Sequence, residues 1–198
     1  MSVILAIKKN DRIYLAADTQ ISCGDTRITT LTSFDRKIHK LDNGILLGIT
    51  GAVSSAQIVC AYSEIFTVPE DGIITKKHIV QNIIPKLRKL YSDRGMLEEN
   101  ENEPDSLPNT FVLAYKDKLF FIANVFSVTV IEHYVAIGAG ADVTLYGLSR
   151  LDGEECDEDA LKEKLLELLI LSASRVRSVG APFYLIDTAH QSFELIKE

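Results

Sequence analysis

The sequence lacks the features that mark nucleic-acid-binding, membrane-spanning and secreted proteins. Its formal net charge is −7, and no basic patch of the kind that nucleic acid requires is evident. No apolar run approaches the ~20 residues that a membrane-spanning helix needs. Lys8, Lys9 and Asp11 interrupt the first apolar segment too early for a secretory signal peptide. These absences favour a cytoplasmic protein with no membrane or nucleic-acid partner.

Cysteine and histidine are scarce and scattered. Cys23, Cys60 and Cys156 are odd in number, form no CxxC pair and lack zinc-site spacing. This usage is typical of a reduced, cytoplasmic compartment. The four histidines lie far apart along the chain, so we expect them to serve in packing or at the surface. We therefore predict no metal site.

Short apolar runs predict strands in blocks separated by helices. The runs at 3–7 and 13–17 flank a polar turn, and both are nearly continuous, which indicates strands covered on both faces. Asn43-Gly44 lies between apolar runs and predicts a second hairpin. Further strands are predicted at 110–115, 119–123, 127–131, 133–138, 182–187 and 192–196.

Helical periodicity occurs in two pairs of segments. The first pair consists of a helix that begins at Ala52 and a helix over 76–93, in which Pro85 should introduce a kink. The second pair consists of a helix from Gly138 to about Leu151 and a helix over 158–176. The acidic segment 95–109 has two prolines and is interpreted as a loop, with a gate or docking segment as the alternative. This order predicts one domain over 1–198, an α/β protein with two mainly antiparallel sheets between helix layers, in a four-layer α/β/β/α sandwich.

The N-terminus carries a candidate nucleophile. If Met1 is removed, Ser2 has both a hydroxyl and a free α-amine, whose unperturbed pKa of roughly 7.7–8.0 suits a base at neutral pH. A hydroxyl paired with its own N-terminal amine is a known way to activate a nucleophile. Serine is common at position 2, however, so this residue alone does not establish the chemistry.

Four segments together resemble a known family. SVILAIKKNDRIYLAAD, RKIHKL, ILLGITGA and VAIGAGA follow one another with the order and spacing of proteasome β-subunits and the bacterial protease HslV. Their family, the N-terminal nucleophile (Ntn) hydrolases, has the α/β/β/α sandwich and includes the threonine proteases of the proteasome. The resemblance covers nearly the whole chain.

The resemblance assigns catalytic roles to four residues. Ser2 takes the place of the N-terminal threonine, Asp18 that of the aspartate that ends the second strand, and Lys37 that of the active-site lysine. Gly48 takes the place of the glycine whose N–H serves the oxyanion hole. The family geometry would line the substrate pocket with Ile21, Leu46 and Thr50, which favours apolar or small substrate side chains. No metal or organic cofactor is implied.

Three departures concern the surroundings of the nucleophile. Serine replaces threonine and lacks the methyl group that restricts χ1. Ala139 stands where the family has a serine whose hydroxyl contacts the terminal amine. Ser178 matches a family serine, but Arg175 stands where an aspartate should precede it.

Three functions follow from this comparison. The leading hypothesis is an N-terminal-serine peptidase that cleaves peptide bonds through an acyl-enzyme. The second is an inactive, proteasome-like structural or binding subunit, which a retained Met1 would also produce. The third is an Ntn transpeptidase or amide acyltransferase that passes the acyl group to an amine. The resemblance further implies a homo-oligomeric ring, with a peptide or unfolded protein as substrate and an AAA+ ATPase as a candidate partner.

Overall fold

A computed structural model describes residues 2–23, 26–29, 35–100 and 103–197. It contains two five-stranded sheets, and every strand pairing among the described residues is antiparallel. Two small two-stranded sheets accompany them. No helix in this part of the chain is long and apolar enough to cross a membrane.

Along the chain, blocks of strands from the two main sheets alternate with blocks of helices. The strands are β1 (Ile4–Lys9), β2 (Arg12–Asp18), β5 (Ile38–Lys40), β6 (Leu46–Gly51), β9 (Asn109–Tyr115), β10 (Lys118–Ile122), β11 (Val128–Ile131), β12 (Tyr134–Ile137), β13 (Phe183–Asp187) and β14 (Glu194–Lys197). The first sheet has the order β12-β1-β2-β13-β14 and the second β11-β10-β9-β6-β5. The helices are α1 (Val53–Ala61), α2 (Lys76–His78), α3 (Ile84–Asp93), α4 (Ala141–Asp152) and α5 (Glu158–Arg175). A 3₁₀ turn covers Ser63–Ile65.

Three hydrophobic clusters define the layers. One joins the second sheet to α1, α3 and the turn between α2 and α3, and another joins the first sheet to α4 and α5. The third lies between the two sheets. In β1, Ile4 and Ala6 face the other sheet, whereas Leu5 and Ile7 face the helices. The strand is therefore buried on both faces, as its continuous apolar run predicted, and the chain has the expected α/β/β/α arrangement.

Turn chemistry explains two hairpins. Asn10 and Asp11 both have positive φ, 50° and 58°, between β1 and β2, which suits a two-residue turn. Gly44 has φ +84° between β5 and β6, where its N–H donates to the Leu41 carbonyl. Both hairpins were predicted from the sequence, and the β1–β2 turn places Asp18 one residue beyond the partner of Ile4.

Pro85 changes the second helical segment. The residues Ile79–Ile83 form a π-helical turn between α2 and α3, and Pro85 is the second residue of α3. Proline has no N–H and cannot continue the regular hydrogen-bond ladder, and the helix predicted over 76–93 is interrupted by this wider turn.

Two hairpins were not predicted. The hairpin of β3 (Gln20–Cys23) and β4 (Thr26–Thr29) follows β2 directly, and β4 is exposed. The acidic segment forms β7 (Glu98–Asn100) and β8 (Glu103–Ser106) where a loop was expected. Its turn residues, 101 and 102, lie outside the described residues, as does Met1.

Candidate active site

A buried ion pair lies where β2 ends and β5 begins. Lys37 Nζ is 2.6 Å from Asp18 Oδ1, and the carboxylate is fully buried. Lys37 Nζ also donates to the Gln20 carbonyl at 2.7 Å. The pairing of β1 with β2 brings this ion pair beside the start of the chain. Two residues 19 positions apart in sequence therefore meet at this point of the fold.

Asp18 also organises the backbone around it. Its Oδ1 accepts the N–H of Val3 at 3.0 Å, while its Oδ2 accepts the N–H groups of Gln20 at 3.3 Å and Gly180 at 3.2 Å. Together with Lys37, four donors thus surround one carboxylate. This number of donors allows a charged group to remain buried. The carboxylate connects the N-terminal segment, β3 and the segment before β13.

Burial lowers the pKa of the Lys37 ammonium, and the charge of Asp18 opposes that effect. The backbone of Lys37 is held by a residue that the sequence analysis missed. The Tyr184 hydroxyl oxygen accepts the N–H groups of Lys37 at 2.8 Å and Ile38 at 2.9 Å. Burial also raises the pKa of Tyr184, so the phenol stays neutral. The sequence signal was weak, because Tyr184 is one aromatic residue within an apolar strand.

The main chain of Ser2 is held on both sides. Its carbonyl accepts the N–H of Gly140 at 3.2 Å, and the next peptide N–H, that of Val3, donates to Asp18. Gly138 has φ +94°, and a Cβ there would lie 2.2 Å from the Ser2 carbonyl oxygen. Only glycine permits this approach. The predicted Gly138-Ala139-Gly140 segment therefore wraps the backbone of residue 2.

Two cavities meet at Ser2, and both are also lined by Thr50 and Gly51. The first is a narrow pocket of about 40 Å³ that includes Lys37 in its wall. The second is a wider groove of about 430 Å³. Ser2 itself is 6% exposed. Its side chain thus stands between a small pocket and an open groove.

The narrow pocket has aliphatic walls and polar groups. Ile21, Ile49, Val53 and Ala56 contribute aliphatic surface, whereas the polar lining comes from Ser2, Gln20, Ser22, Asp35, Arg36, Lys37, His39, Thr50 and Gln57. Gln57 donates to Asp35 Oδ1 at 3.1 Å. Burial lowers the pKa of His39 to about 4, so this imidazole is neutral at pH 7.

Two of the three predicted pocket residues line this pocket. Ile21 and Thr50 do so, whereas Leu46 is fully buried in the cluster between the two sheets. Position along β6 explains the difference, because Ile49, Thr50 and Gly51 at its C-terminal end line the pocket, whereas Leu46 is its first residue. Leu46 faces the other sheet, and Ile49 takes its place in the pocket wall.

The oxyanion assignment also needs correction. The Ile49 N–H donates to the Lys37 carbonyl on the β5 side, so the N–H of Gly48, one residue earlier, points the other way. On that side Gly48 is opposite Val112 of β9, and the ladder uses its N–H. Gly48 also packs against Ile4 and lines neither cavity. It is therefore unsuited to bind an oxyanion.

Gly51 has the required orientation. The Ala52 N–H donates to the Pro108 carbonyl, so Gly51 and its partner Asn109 form a non-hydrogen-bonded pair. The Gly51 N–H therefore points away from β9, to the same side as the Ile49 N–H. The pairing of β5 with β6 does not extend to Gly51. Its N–H emerges past the end of β5, on the side where Lys37 lies.

The departures from the family pattern have distinct surroundings. Ala139 is exposed in the wide groove beside Ser2. Ser178 is buried, and its hydroxyl has no hydrogen-bond partner among the described residues. Arg175 is the exposed last residue of α5. No cluster of three or more metal-ligating side chains occurs within the described ranges.

Comparisons with known proteins support the resemblance that the sequence indicated. A family model described as "Proteasome subunit" matches residues 2–67, the segment that contains Ser2, Asp18 and Lys37. A sequence search of curated proteins finds no significant match.

Solved structures match over nearly the whole chain. BPH from Thiobacillus denitrificans in complex with epoxomicin has 18% identity and a TM-score of 0.70, and the match covers 93% of this chain and 97% of that one. Anbu from Yersinia bercovieri has 14% identity and a TM-score of 0.72, covering 99% and 87%. Eukaryotic HslV from Trypanosoma brucei has 12% identity and a TM-score of 0.62, covering 93% and 98%.

The chain has the fold of the proteasome-like Ntn hydrolases. The resemblance to the proteasome β-subunit and HslV family that the sequence predicted is confirmed by the family model and by these structures.

Proposed function

We propose that the chain is a proteasome-type N-terminal-serine peptidase that cleaves peptide bonds through an acyl-enzyme once Met1 is removed. The observation that carries the proposal is the buried Asp18–Lys37 pair, whose carboxylate also binds the N–H of Val3. A lysine is expensive to bury, and here it lies in the wall of the pocket that Ser2 also lines. Such a constellation is typical of a site that adjusts the protonation of neighbouring groups.

The roles follow from elementary chemistry. The Ser2 hydroxyl oxygen attacks the scissile carbonyl, and its proton passes to the Ser2 α-amine and then to the leaving amine as the C–N bond breaks. Water then adds to the ester carbonyl and gives a proton to the α-amine. The α-amine passes a proton to the Ser2 oxygen as the ester C–O bond breaks, which releases the acid product and restores the hydroxyl. The Lys37 ammonium disfavours protonation of the nearby α-amine and keeps it basic at neutral pH.

The Gly51 N–H is the donor that we assign to the tetrahedral oxyanion. It emerges beside Ser2 and Lys37, at a residue that lines both cavities. A donor at such a position stabilises the transition state by about 3–4 kcal/mol. The narrow pocket would hold the substrate side chain, and its aliphatic walls and small volume suit small or apolar groups.

Assembly and location are part of the same proposal. We expect a homo-oligomeric ring in the cytoplasm, acting on peptide or unfolded protein with an AAA+ ATPase as candidate partner. Size-exclusion chromatography with light scattering tests the ring, because a 22.0 kDa chain and a multimeric ring differ severalfold in mass.

Epoxomicin provides the direct test of the chemistry, since it is the ligand in the Thiobacillus denitrificans BPH structure. A peptide epoxyketone needs both the hydroxyl and the free amine of an N-terminal nucleophile. We expect the intact mass to show loss of Met1 and one adduct, and Ser2→Ala to abolish both adduct and peptidase activity while remaining folded. Residual peptidase activity in Ser2→Ala would contradict the assignment. Transfer to an added amine instead of water would identify an acyltransferase.

An inactive subunit is the alternative that one observation favours. Ala139 contributes no hydroxyl in the groove beside Ser2, at the position where the family has a serine. A chain that keeps Met1, or that is trimmed but does not react, would support this alternative.

A further inference from the structure

Asn109, the first residue of β9, bridges the backbone on both sides of Gly51. Its Nδ2 donates to the Thr50 carbonyl and to the Ala52 carbonyl, both at 3.1 Å. The residue is 2% exposed. One side chain therefore holds the peptide that carries the proposed oxyanion donor and the carbonyl of the residue after Gly51.

The orientation of this amide is unambiguous. Carbonyl oxygens only accept hydrogen bonds, so the group that faces Thr50 and Ala52 must be the NH₂ of Asn109. The opposite atom, Oδ1, accepts the Tyr91 hydroxyl at 2.7 Å and also contacts the Ser55 hydroxyl. Both donors and both acceptor sites of the amide are thus occupied, and Asn109 has no group left for a substrate.

The peptide geometry transmits this contact to the Gly51 N–H. In a trans peptide the C=O and N–H point in opposite directions, and the Thr50 carbonyl and the Gly51 N–H belong to the same peptide. Because Asn109 holds the Thr50 carbonyl, the Gly51 N–H points away from Asn109 and past the end of β5.

We propose that Asn109 is a positioning residue that fixes the Thr50–Gly51 peptide so that the Gly51 N–H faces the reacting carbonyl. This inference rests on the proposed function, because it assigns a role within that same site. Gly51 has φ +118°, a conformation with few local restraints of its own. The Asn109 amide supplies a restraint that glycine lacks, in addition to the ladder pairing of Thr50 with Thr110.

Tyr91 extends the restraint into the helix layer. It lies in α3, is 1% exposed and hydrogen-bonds Asn109 Oδ1. Burial raises the pKa of its phenol, which keeps the hydroxyl proton available as a donor. Tyr91 and Asn109, both buried, thereby connect the Thr50–Gly51 peptide to the helix layer of the second sheet.

The kinetic test uses epoxomicin, whose ketone oxygen becomes an oxyanion when the Ser2 hydroxyl adds to the ketone carbon. We expect Asn109→Ala to lower the maximal inactivation rate by about 10- to 100-fold, a part of the full effect of one oxyanion donor, with the half-saturating epoxomicin concentration changed less than about twofold. If Asn109 had only a structural role, its loss would not lower the maximal inactivation rate while leaving the half-saturating concentration nearly unchanged.

Asn43→Ala is the matched control. Asn43 also joins its amide to the backbone, donating to the Phe66 carbonyl at 2.6 Å, but in the hairpin at the opposite end of β6. We expect it to react at the wild-type rate. Equal losses in the two variants, or a wild-type rate in folded Asn109→Ala, would overturn the proposal.

Tyr91→Phe is the second variant, for use if Asn109→Ala does not fold. It removes only the hydroxyl that holds Asn109 Oδ1, and we expect the maximal inactivation rate to fall about threefold or more. A wild-type rate in Tyr91→Phe would overturn the proposal.

Amide NMR separates this inference from the proposed function, because it needs no activity. In Asn109→Ala, or in Tyr91→Phe, we expect the Gly51 amide resonance to move and the Gly48 resonance, within the ladder, to remain in place. An unchanged Gly51 resonance overturns the positioning role. A wild-type chain that never reacts overturns the proposed function alone, and the Gly51 resonance then still decides this inference.

Discussion

The carboxylate of Asp18 binds the ammonium of Lys37 and the backbone N–H of Val3 through the same oxygen, Oδ1, at 2.6 Å and 3.0 Å. This arrangement couples the position of a buried charge to the first described residues of the chain. A change in either partner must therefore disturb both the ion pair and the backbone next to Ser2. Asp18 therefore contributes both to the stability of the fold and to the arrangement of the proposed site.

Asp18→Asn should both destabilise the protein and abolish its reactivity. The substitution leaves Lys37 without its counter-ion in a buried position, where breaking an ion pair costs about 3–5 kcal/mol. It also releases the restraint on Val3. We expect urea unfolding to show this loss and epoxomicin labelling to fall by at least about 100-fold, a loss close to that of one catalytic group.

Lys89→Ala provides the comparison for that prediction. Lys89 pairs with Asp93 at 3.0 Å, but its side chain is 76% exposed. An exposed pair contributes about 0–1 kcal/mol, so this variant should unfold and react like the wild type. A similar unfolding midpoint for Asp18→Asn and Lys89→Ala would show that burial does not make the Asp18–Lys37 pair important.

The two glycines of β6 should respond differently to alanine. At Gly51 a Cβ would lie 2.0 Å from the Pro108 carbonyl oxygen, at φ +118°, so Gly51→Ala must displace the backbone. At Gly48 a Cβ would meet side-chain carbons of Ile4, the nearest at 3.2 Å, and of Val112 at 3.6 Å. We expect Gly51→Ala to lose about 100-fold or more in epoxomicin reactivity and Gly48→Ala to lose only a few-fold. The reverse ranking would return the oxyanion role to Gly48.

Sequence patterns predicted most of the fold because they depend on local chemistry. The Asn10-Asp11 turn and the Asn43-Gly44 turn specify hairpins, and the continuous apolar run of β1 reflects burial on both faces. The β7–β8 hairpin was missed because its residues are acidic and proline-containing, as in a loop. Its strands are short, and Ser106 and Glu98 form a side-chain hydrogen bond that no pattern reveals.

The site was only partly predictable because strand register decides which groups face the cavities. Ser2, Asp18 and Lys37 lie at the ends of elements, where sequence spacing is informative. In β6, however, Gly48 and Gly51 are three residues apart, so their N–H groups point to opposite edges of the strand. The choice between Gly48 and Gly51 therefore needed the pairing with β5 and β9. Asn109 and Tyr184 act through backbone groups, which leave no sequence signature.

Acidification should destabilise the protein through His39. Burial holds its pKa at about 4, against about 6.5 in an unfolded chain. Between these values the unfolded state binds more protons, so the free energy of unfolding must fall as the pH is lowered from 6.5 to 4. The loss from this group should be about 2 kcal/mol, allowing for partial exposure.

Urea unfolding of wild type and His39→Gln at pH 7 and pH 4.5 tests this prediction. The difference between the two pH values should shrink in His39→Gln, which has no titrating group at this position. His133→Gln, at a side chain that is 68% exposed, should keep the wild-type difference. An unchanged difference in His39→Gln would assign the acid sensitivity to other groups.

Ala139→Ser should increase the reactivity of Ser2. Ala139 is exposed in the groove of about 430 Å³ that Ser2 also lines, so one added oxygen fits without displacing the backbone. Its hydroxyl would stand where proteasome-like relatives carry a serine that contacts the terminal amine, and a hydrogen bond there would hold the amine toward the Ser2 hydroxyl. We expect the rate of epoxomicin labelling to rise severalfold with little change in the unfolding midpoint. Ala141→Ser, two residues later at the start of α4, is the control and should not change the rate. Equal labelling rates for wild type and Ala139→Ser would mean that the amine is already oriented without this hydroxyl. The contacts of the Gly138–Gly140 segment and of Asp18 with the N-terminal backbone would then be sufficient to orient it.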